Sequence, residues 1–172
     1  MGKNEKKLVL MDSGRIRRTV KRIACQVAEK VKDQRICLVG LNERGLALAR
    51  EIYEQLATLG LKDMGIYNLR VDQAAGDAEE IKNDEDIDHS FILLVDDVMF
   101  SGRTMFSAMK QLIGEDSANV YTAVLIDRGH RSLPIHSSFS GMEIPTKPNE
   151  HVEMTVQNER ADHVYLYKRQ ED

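Results

Sequence analysis

Phe91-Ile-Leu-Leu-Val-Asp-Asp-Val-Met-Phe-Ser-Gly-Arg-Thr104 reads as a strand, a turn and the start of a helix in one run. Phe91–Val95 is apolar on both faces, the mark of a strand buried inside a parallel sheet. Two adjacent acids, Asp96 and Asp97, close it. In open α/β sheets, ligands bind beyond the carboxyl ends of the strands. Ser101-Gly102-Arg103-Thr104 then opens a helix. Gly102 lets backbone approach a ligand closely. A helix N-terminus offers unpaired N–H groups and the positive end of the dipole, and Ser101 and Thr104 add hydroxyls. Ser101–Thr104 is therefore a candidate phosphate socket. Asp96 and Asp97 before it suit ribose hydroxyls or a hydrated Mg²⁺. An acidic turn or a helix cap alone would be ordinary surface. Joined at the end of an apolar strand, they fit a ligand with a 5-phosphate beside a ribose diol. Neither GxxxxGK[ST] nor GxGxxG is present.

Outward from this run, strands and helices alternate. A first helix is predicted from a cap at Asp12 or Ser13, with Ile16, Val20, Ile23, Val27 and Val31 inward at helical spacing. Its other face carries Arg15, Arg17, Arg18, Lys21 and Arg22. Arg35–Leu41 is a buried strand ending in a turn, Asn42-Glu43-Arg44-Gly45. A helix follows with Leu46, Ala49, Ile52, Leu56 and Leu59 on one side. Met64–Val71 and Val120–Ile126 are further strands, and Arg103–Glu115 is a helix facing inward with Met105, Ala108, Met109 and Leu112. Residues 72–90 carry eight acids against Lys82, which predicts an acidic mobile loop. Phe139–Ile144, Val152–Val156 and Val164–Tyr167 are read as short antiparallel strands. The expected fold is α/β: a doubly wound, mostly parallel sheet with a small C-terminal antiparallel hood, in a single domain over 1–172.

Composition narrows the class. The chain has 172 residues, is 42% hydrophobic, and carries a formal charge of −4. It can bury a core unaided and is not disordered by composition. No apolar run approaches the ~20 residues of a membrane span, and no apolar segment near the N-terminus suggests a secretory signal. Cys25 and Cys37 make no CxxC, and the five histidines show no metal-ligand spacing. The expectation is a cytoplasmic protein with reduced cysteines. A phosphoacceptor receiver domain, also doubly wound, fits poorly. Its acids belong near the first strand, and here the pair sits mid-chain before Ser-Gly-Arg-Thr.

Val95–Thr104 resembles the phosphoribosyl diphosphate (PRPP) motif of the type I phosphoribosyltransferases. Ala123–Ile135, Gly141–Thr146, Ile16–Ala24 and Leu38–Gly45 resemble the branch that doubles as pyrimidine-operon attenuator and uracil phosphoribosyltransferase. The resemblance covers roughly residues 8–168 and is weakest between 62 and 90. It implies that Asp96 and Asp97 hold the ribose hydroxyls, and that Val98, Met99, Phe100, Ser101, Gly102, Arg103 and Thr104 take the 5-phosphate. Asn42, Glu43, Arg44 and Gly45 would form the pyrophosphate loop, with Arg44 beside the leaving group. Asp127, Arg128 and Gly129 would lie at the base, and Arg70 would belong to a catalytic flexible loop. Mg²⁺ would arrive with the substrate, against Asp96 and Asp97. The implied partners are PRPP, uracil or UMP, and further copies of the chain in a dimer or tetramer. No membrane is implied. Arg17, Arg18, Lys21, Arg22, His130 and Arg131 would form an RNA-binding face.

The departures bear on function. Phe100 stands where purine-using relatives often carry an acid, which fits a pyrimidine. Only Asn68–Asp72 aligns with the relatives' Tyr-Arg-Asp-Asp run, and the loop after it is shorter and acidic, which would repel a polyanion. Cys25, His136 and Met142 replace cations of the RNA face, which depends on phosphate contacts by Arg and Lys. Two functions follow. The first is a PRPP-dependent transferase making UMP and pyrophosphate from uracil. The second is a nucleotide-sensing, RNA-binding regulator with weak or no turnover. The Arg44 loop favours the first, and the acidic loop favours the second.

Overall fold

The computed structural model describes residues 7–72, 74–75, 77–79, 87, 90–113 and 119–168. In chain order the elements are β1 (Leu8–Met11), α1 (Ser13–Val31), β2 (Ile36–Leu41), α2 (Asn42–Thr58), β3 (Met64–Leu69), β4 (Val71–Asp72) and β5 (Asp77–Ala78). There follow β6 (Phe91–Met99), α3 (Arg103–Leu112), β7 (Val120–Asp127), β8 (Phe139–Glu143), β9 (Glu150–Gln157) and β10 (Arg160–Lys168).

Five strands form one parallel sheet in the order β3-β2-β6-β7-β8. The inner strands β2, β6 and β7 bury both faces, so their apolar residues split between two cores. Leu38, Leu93, Val95 and Leu125 point to one, with Ile16, Ile23 and Val27 of α1 and Leu48, Ile52 and Leu56 of α2. Val39, Leu41, Leu94 and Val124 point to the other, with Met105, Ala108 and Leu112 of α3. The strand order reverses between β2 and β6. That reversal opens a crevice at their carboxyl ends, the usual ligand position in such sheets.

Two glycines bring the first turn of α2 into that crevice. A Cβ on Gly40 would lie 2.4 Å from Leu46 Cα, and one on Gly45 would lie 2.5 Å from the Val95 carbonyl oxygen. Asn42–Gly45 is thus the opening turn of α2 itself, where the sequence suggested a loop before it. Asp12 caps α1, its Oδ1 accepting from the Arg15 amide at 2.7 Å.

Four expectations need correction. The first element among the described residues is a strand, since β1 pairs antiparallel with β10 before α1 begins. β8 lies parallel to β7 at the sheet edge, so the antiparallel hood is β1-β10-β9. β6 runs on to Met99, placing Asp96 and Asp97 within the strand. Leu59 is exposed at the end of α2. The hood is fastened to α2: Glu51 accepts from the Ala161 amide at 2.8 Å, and Arg160 forks onto Glu54. Val71–Asp72 pairs with Asp77–Ala78 inside the acidic stretch. Most of the expected mobile loop (73, 76, 80–86, 88 and 89) lies outside the described residues, as does the end of the helix expected to reach Glu115. No helix among the described residues is long and apolar enough to cross a membrane.

The wedge of α2 against β6 yields a prediction. Gly45→Ala drives a methyl into the Val95 carbonyl, where backbone must shift. Overpacking of this kind costs about 1–3 kcal/mol. Calorimetry should show Tm lowered by several degrees; an unchanged Tm would mean α2 is not wedged.

Candidate functional site

β6 carries its two carboxylates into the crevice at the point where β2 ends. Asp96 and Asp97 are each 8% exposed, and the Asp97 amide donates to Asp96 Oδ1 at 2.9 Å. Burial pushes the Asp96 carboxyl well above the usual carboxylate range, and the Asp97 charge adds to it. Burial also raises Asp97, against the hydrogen bond from Asp96 and the charge of Arg44. The Arg44 guanidinium lies 4.0 Å from Asp97 Oδ2, while its other nitrogen donates to Glu153 Oε1 of β9 at 2.6 Å.

The same cavity, about 270 Å³, is lined by Arg44, Asp96, Asp97 and the turn from Val98 to Gly102, with Thr104. Arg103 of the expected phosphate group does not line it and is exposed. Gly102 has φ +83°, a left-handed conformation that L side chains rarely adopt. It sets the amides of the following residues at the start of α3. Carbonyls of the turn are tied back: the Ser132 amide donates to Ser101 O at 3.1 Å, and the Arg128 amide to Met99 O at 2.9 Å.

Asn42 and Glu43 face a neighbouring cavity of about 590 Å³ together with Asn68, Arg70 and Asp72. The first turn of α2 therefore divides the crevice, with Arg44 on the acid-pair side and Arg70 on the other. Asn42 has φ +55° and is braced by its neighbours. Its Oδ1 accepts from the Val71 amide at 2.9 Å, and Asn68 Nδ2 donates to the Asn42 carbonyl at 2.8 Å.

At the end of β7, Asp127 and Gly129 line a third cavity of about 370 Å³ with Arg131, His136, Ser137 and Glu143. Burial would raise the Asp127 carboxyl. Hydrogen bonds from Arg131, Ser137 and the Gly129 amide outweigh it and hold the group below its ordinary range. Arg128 turns elsewhere: Nε donates to Thr146 Oγ1 at 2.8 Å, and the guanidinium sits 4.1 Å from the Phe100 ring centre. His130 packs near Phe100 and meets the Thr146 carbonyl.

Of the residues assigned to an RNA face, Arg17, Arg18 and Lys21 are exposed on α1. Arg22 donates to the Ser140 and Gly141 carbonyls at 3.0 and 2.7 Å. Arg131 turns inward, with its side chain 14% exposed. Sequence reasoning missed Glu153 and Val152, and named Asn68 only as the start of the aligned Asn68–Asp72 run. Glu153 meets Arg44 across 109 residues, a pairing that no local pattern signals.

Paired acids, a glycine turn that opens a helix and an arginine meet at a strand-order reversal on a doubly wound α/β fold. The phosphoribosyl transferase domain family matches residues 10–159. The chain is 34% identical to the bifunctional protein PyrR of Bacillus cereus (strain B4264) over 178 aligned residues, covering 95% of this chain and 98% of the relative. The bifunctional protein PyrR of Bacillus anthracis (strain CDC 684 / NRRL 3495) matches equally. In structure it is similar to a hypoxanthine-guanine phosphoribosyltransferase of Bacillus anthracis, with TM-score 0.71 and 17% identity over 84% of this chain and 86% of that one. A hypoxanthine phosphoribosyltransferase of Staphylococcus aureus gives TM-score 0.72 and 18% identity over 86% and 82%. The chain belongs to the type I phosphoribosyltransferases, whose members use PRPP.

The buried acid pair predicts a pH effect on stability. In the native state Asp96 keeps its proton to a higher pH than in the unfolded chain, which releases it near the ordinary carboxylate value of about 3.9. Stability from this group is complete below that value and is lost as pH rises through the raised one. Asp96→Asn removes the loss. Its Tm should exceed that of the unmodified chain at neutral pH, the gain shrinking as pH falls toward about 4. A lower Tm at neutral pH would contradict the burial argument.

Proposed function

We propose that this chain transfers the phosphoribosyl group of PRPP to uracil, giving UMP and pyrophosphate. The observation that carries the reading is the sharing of one cavity by Asp96, Asp97, Arg44, the Val98–Gly102 turn and Thr104. The likeness to bifunctional PyrR proteins supports a pyrimidine role.

The amides at the start of α3, with the Ser101 and Thr104 hydroxyls, hold the 5-phosphate. Asp96 and Asp97 accept hydrogen bonds from the ribose hydroxyls, and their charge favours the positive ribose ring that develops as the C1–O bond breaks. Arg44 lies beside the departing pyrophosphate, with the Asn42–Gly45 turn around it and Arg70 across the second cavity. Uracil N1 bonds to C1 as pyrophosphate leaves, and its proton passes to solvent. The base lies between Phe100 and the Asp127–Gly129 turn. An aromatic ring at Phe100 offers no proton to a purine nitrogen, which favours a pyrimidine.

Among the described residues no three His, Cys, Asp or Glu side chains gather as a metal cage. Two carboxylates together with substrate phosphates still fit a cation that keeps much of its water shell. Asp96 and Asp97 would hold Mg²⁺, which neutralises charge on the diphosphate when bound.

A second reading, an RNA-binding regulator, is favoured by the exposed row Arg17, Arg18 and Lys21 on α1. The two separate by assay. UMP formation from uracil and PRPP with Mg²⁺ should be measurable, and Asp97→Asn should lower it on the order of 10²-fold, the scale of losing one electrostatic contact in a site. Arg44→Ala should raise KM for PRPP. No turnover, with salt-dependent RNA retention lost in a combined Arg17→Ala, Arg18→Ala and Lys21→Ala variant, would put the regulator first.

A further inference from the structure

Arg131 carries more hydrogen bonds into the site than an exposed cation would. Its Nε donates to the Ile135 carbonyl at 2.7 Å, Nη1 to the Phe100 carbonyl at 2.8 Å, and Nη2 to Asp127 Oδ2 at 2.5 Å. One planar guanidinium therefore joins the end of β7, the connection that follows it and the phosphate turn. The residues around it are fixed as well. Asp127 also accepts from Ser137 at 2.7 Å and from the Gly129 amide at 2.9 Å, so its carboxylate is anchored without Arg131. Ser132, the next residue, donates its amide to Ser101 O. The aliphatic stem of Arg131 passes beside Gly102: a Cβ there would lie 3.7 Å from Arg131 Cδ. The same side chain walls the 370 Å³ cavity at the base turn.

We infer that Arg131 is a positioning residue: it clamps the Phe100–Thr104 phosphate turn to Asp127, so that the turn's amides are aimed before ligand arrives. The use of that turn for ribose 5-phosphate rests on the proposed transferase reading; the clamp itself does not. The chemistry calls for arginine. A rigid fork can span three acceptors in fixed directions, whereas an ammonium on a flexible stem cannot. Asp127, held below its ordinary pKa, stays charged through the neutral range and keeps the pair intact. The groups that Arg131 bonds are that carboxylate and two backbone carbonyls, while His136 and Glu143 share its cavity without a bond to it. Preorganised donors matter because a loose turn must be ordered at the cost of binding free energy.

Amide hydrogen exchange in the ligand-free protein tests the clamp directly. Arg131→Ala should speed exchange of the Ser101–Thr104 amides at least several-fold while the amides of β2 and α1 keep their rates. Arg131→Lys should recover only part of the protection. UMP affinity by calorimetry should fall about tenfold in Arg131→Ala, a loss of about 1.4 kcal/mol. Guanidinium ion well below denaturing concentration should restore some of it, where equal sodium chloride does not. Global unfolding would instead raise exchange throughout. Unchanged exchange in the turn, or loss of RNA retention with UMP affinity intact, would overturn the clamp. If the unmodified chain binds no UMP, the transferase reading fails, and the exchange comparison still decides the clamp.

Discussion

Two carboxylates sit side by side inside the central strand, almost out of water, and the site is organised around that arrangement. Charged groups are rarely buried unless paired. Here Asp96 and Asp97 are raised chiefly by burial, and the Arg44 guanidinium stands 4.0 Å from Asp97 and shares itself with Glu153. The arrangement weakens the fold locally. In return it sets two carboxylates side by side at the strand-order reversal, where the proposed transfer would use them. Such strained pairs concentrate at functional sites.

The backbone around the pair follows from the same demand. The first turn of α2 must approach β6 closely enough for Arg44 to reach Asp97, which is why Gly40 and Gly45 have no room for a Cβ. The turn before α3 is held in place by Gly102 at φ +83° and by the ties from Arg128, Arg131 and Ser132. The hood contributes Glu153 and is itself fastened to α2 through Glu51 and Glu54. Site and scaffold are therefore joined through α2.

Much of this was legible in the sequence because it is local. Phe91–Thr104 contains the strand, the acids, the glycine and the helix start in one run, and the two-faced burial of the strand is written in unbroken apolar residues. The helices α1 and α2 were legible by their spacing. What escaped was set by contacts distant in sequence. β8 reads as a short half-buried strand whichever way it pairs, so its parallel register with β7 has no local mark. Leu8–Met11 is too short to distinguish from a helix lead-in until β10 covers it. Glu153 is an ordinary strand acid until Arg44 arrives from 109 residues away. Arg131 lies in a polar run whose charge suggests a surface, yet its guanidinium turns inward because three acceptors converge there.

The central claim is that β6 and the start of α3 together form a socket for ribose 5-phosphate. Titration of ribose 5-phosphate, which has neither base nor diphosphate, into the unmodified chain and into Gly102→Val isolates that socket. The account predicts saturable one-to-one binding to the first and none to the second, whose side chain cannot adopt the left-handed turn without strain. Absence of binding to the unmodified chain, or equal binding to both, would contradict it.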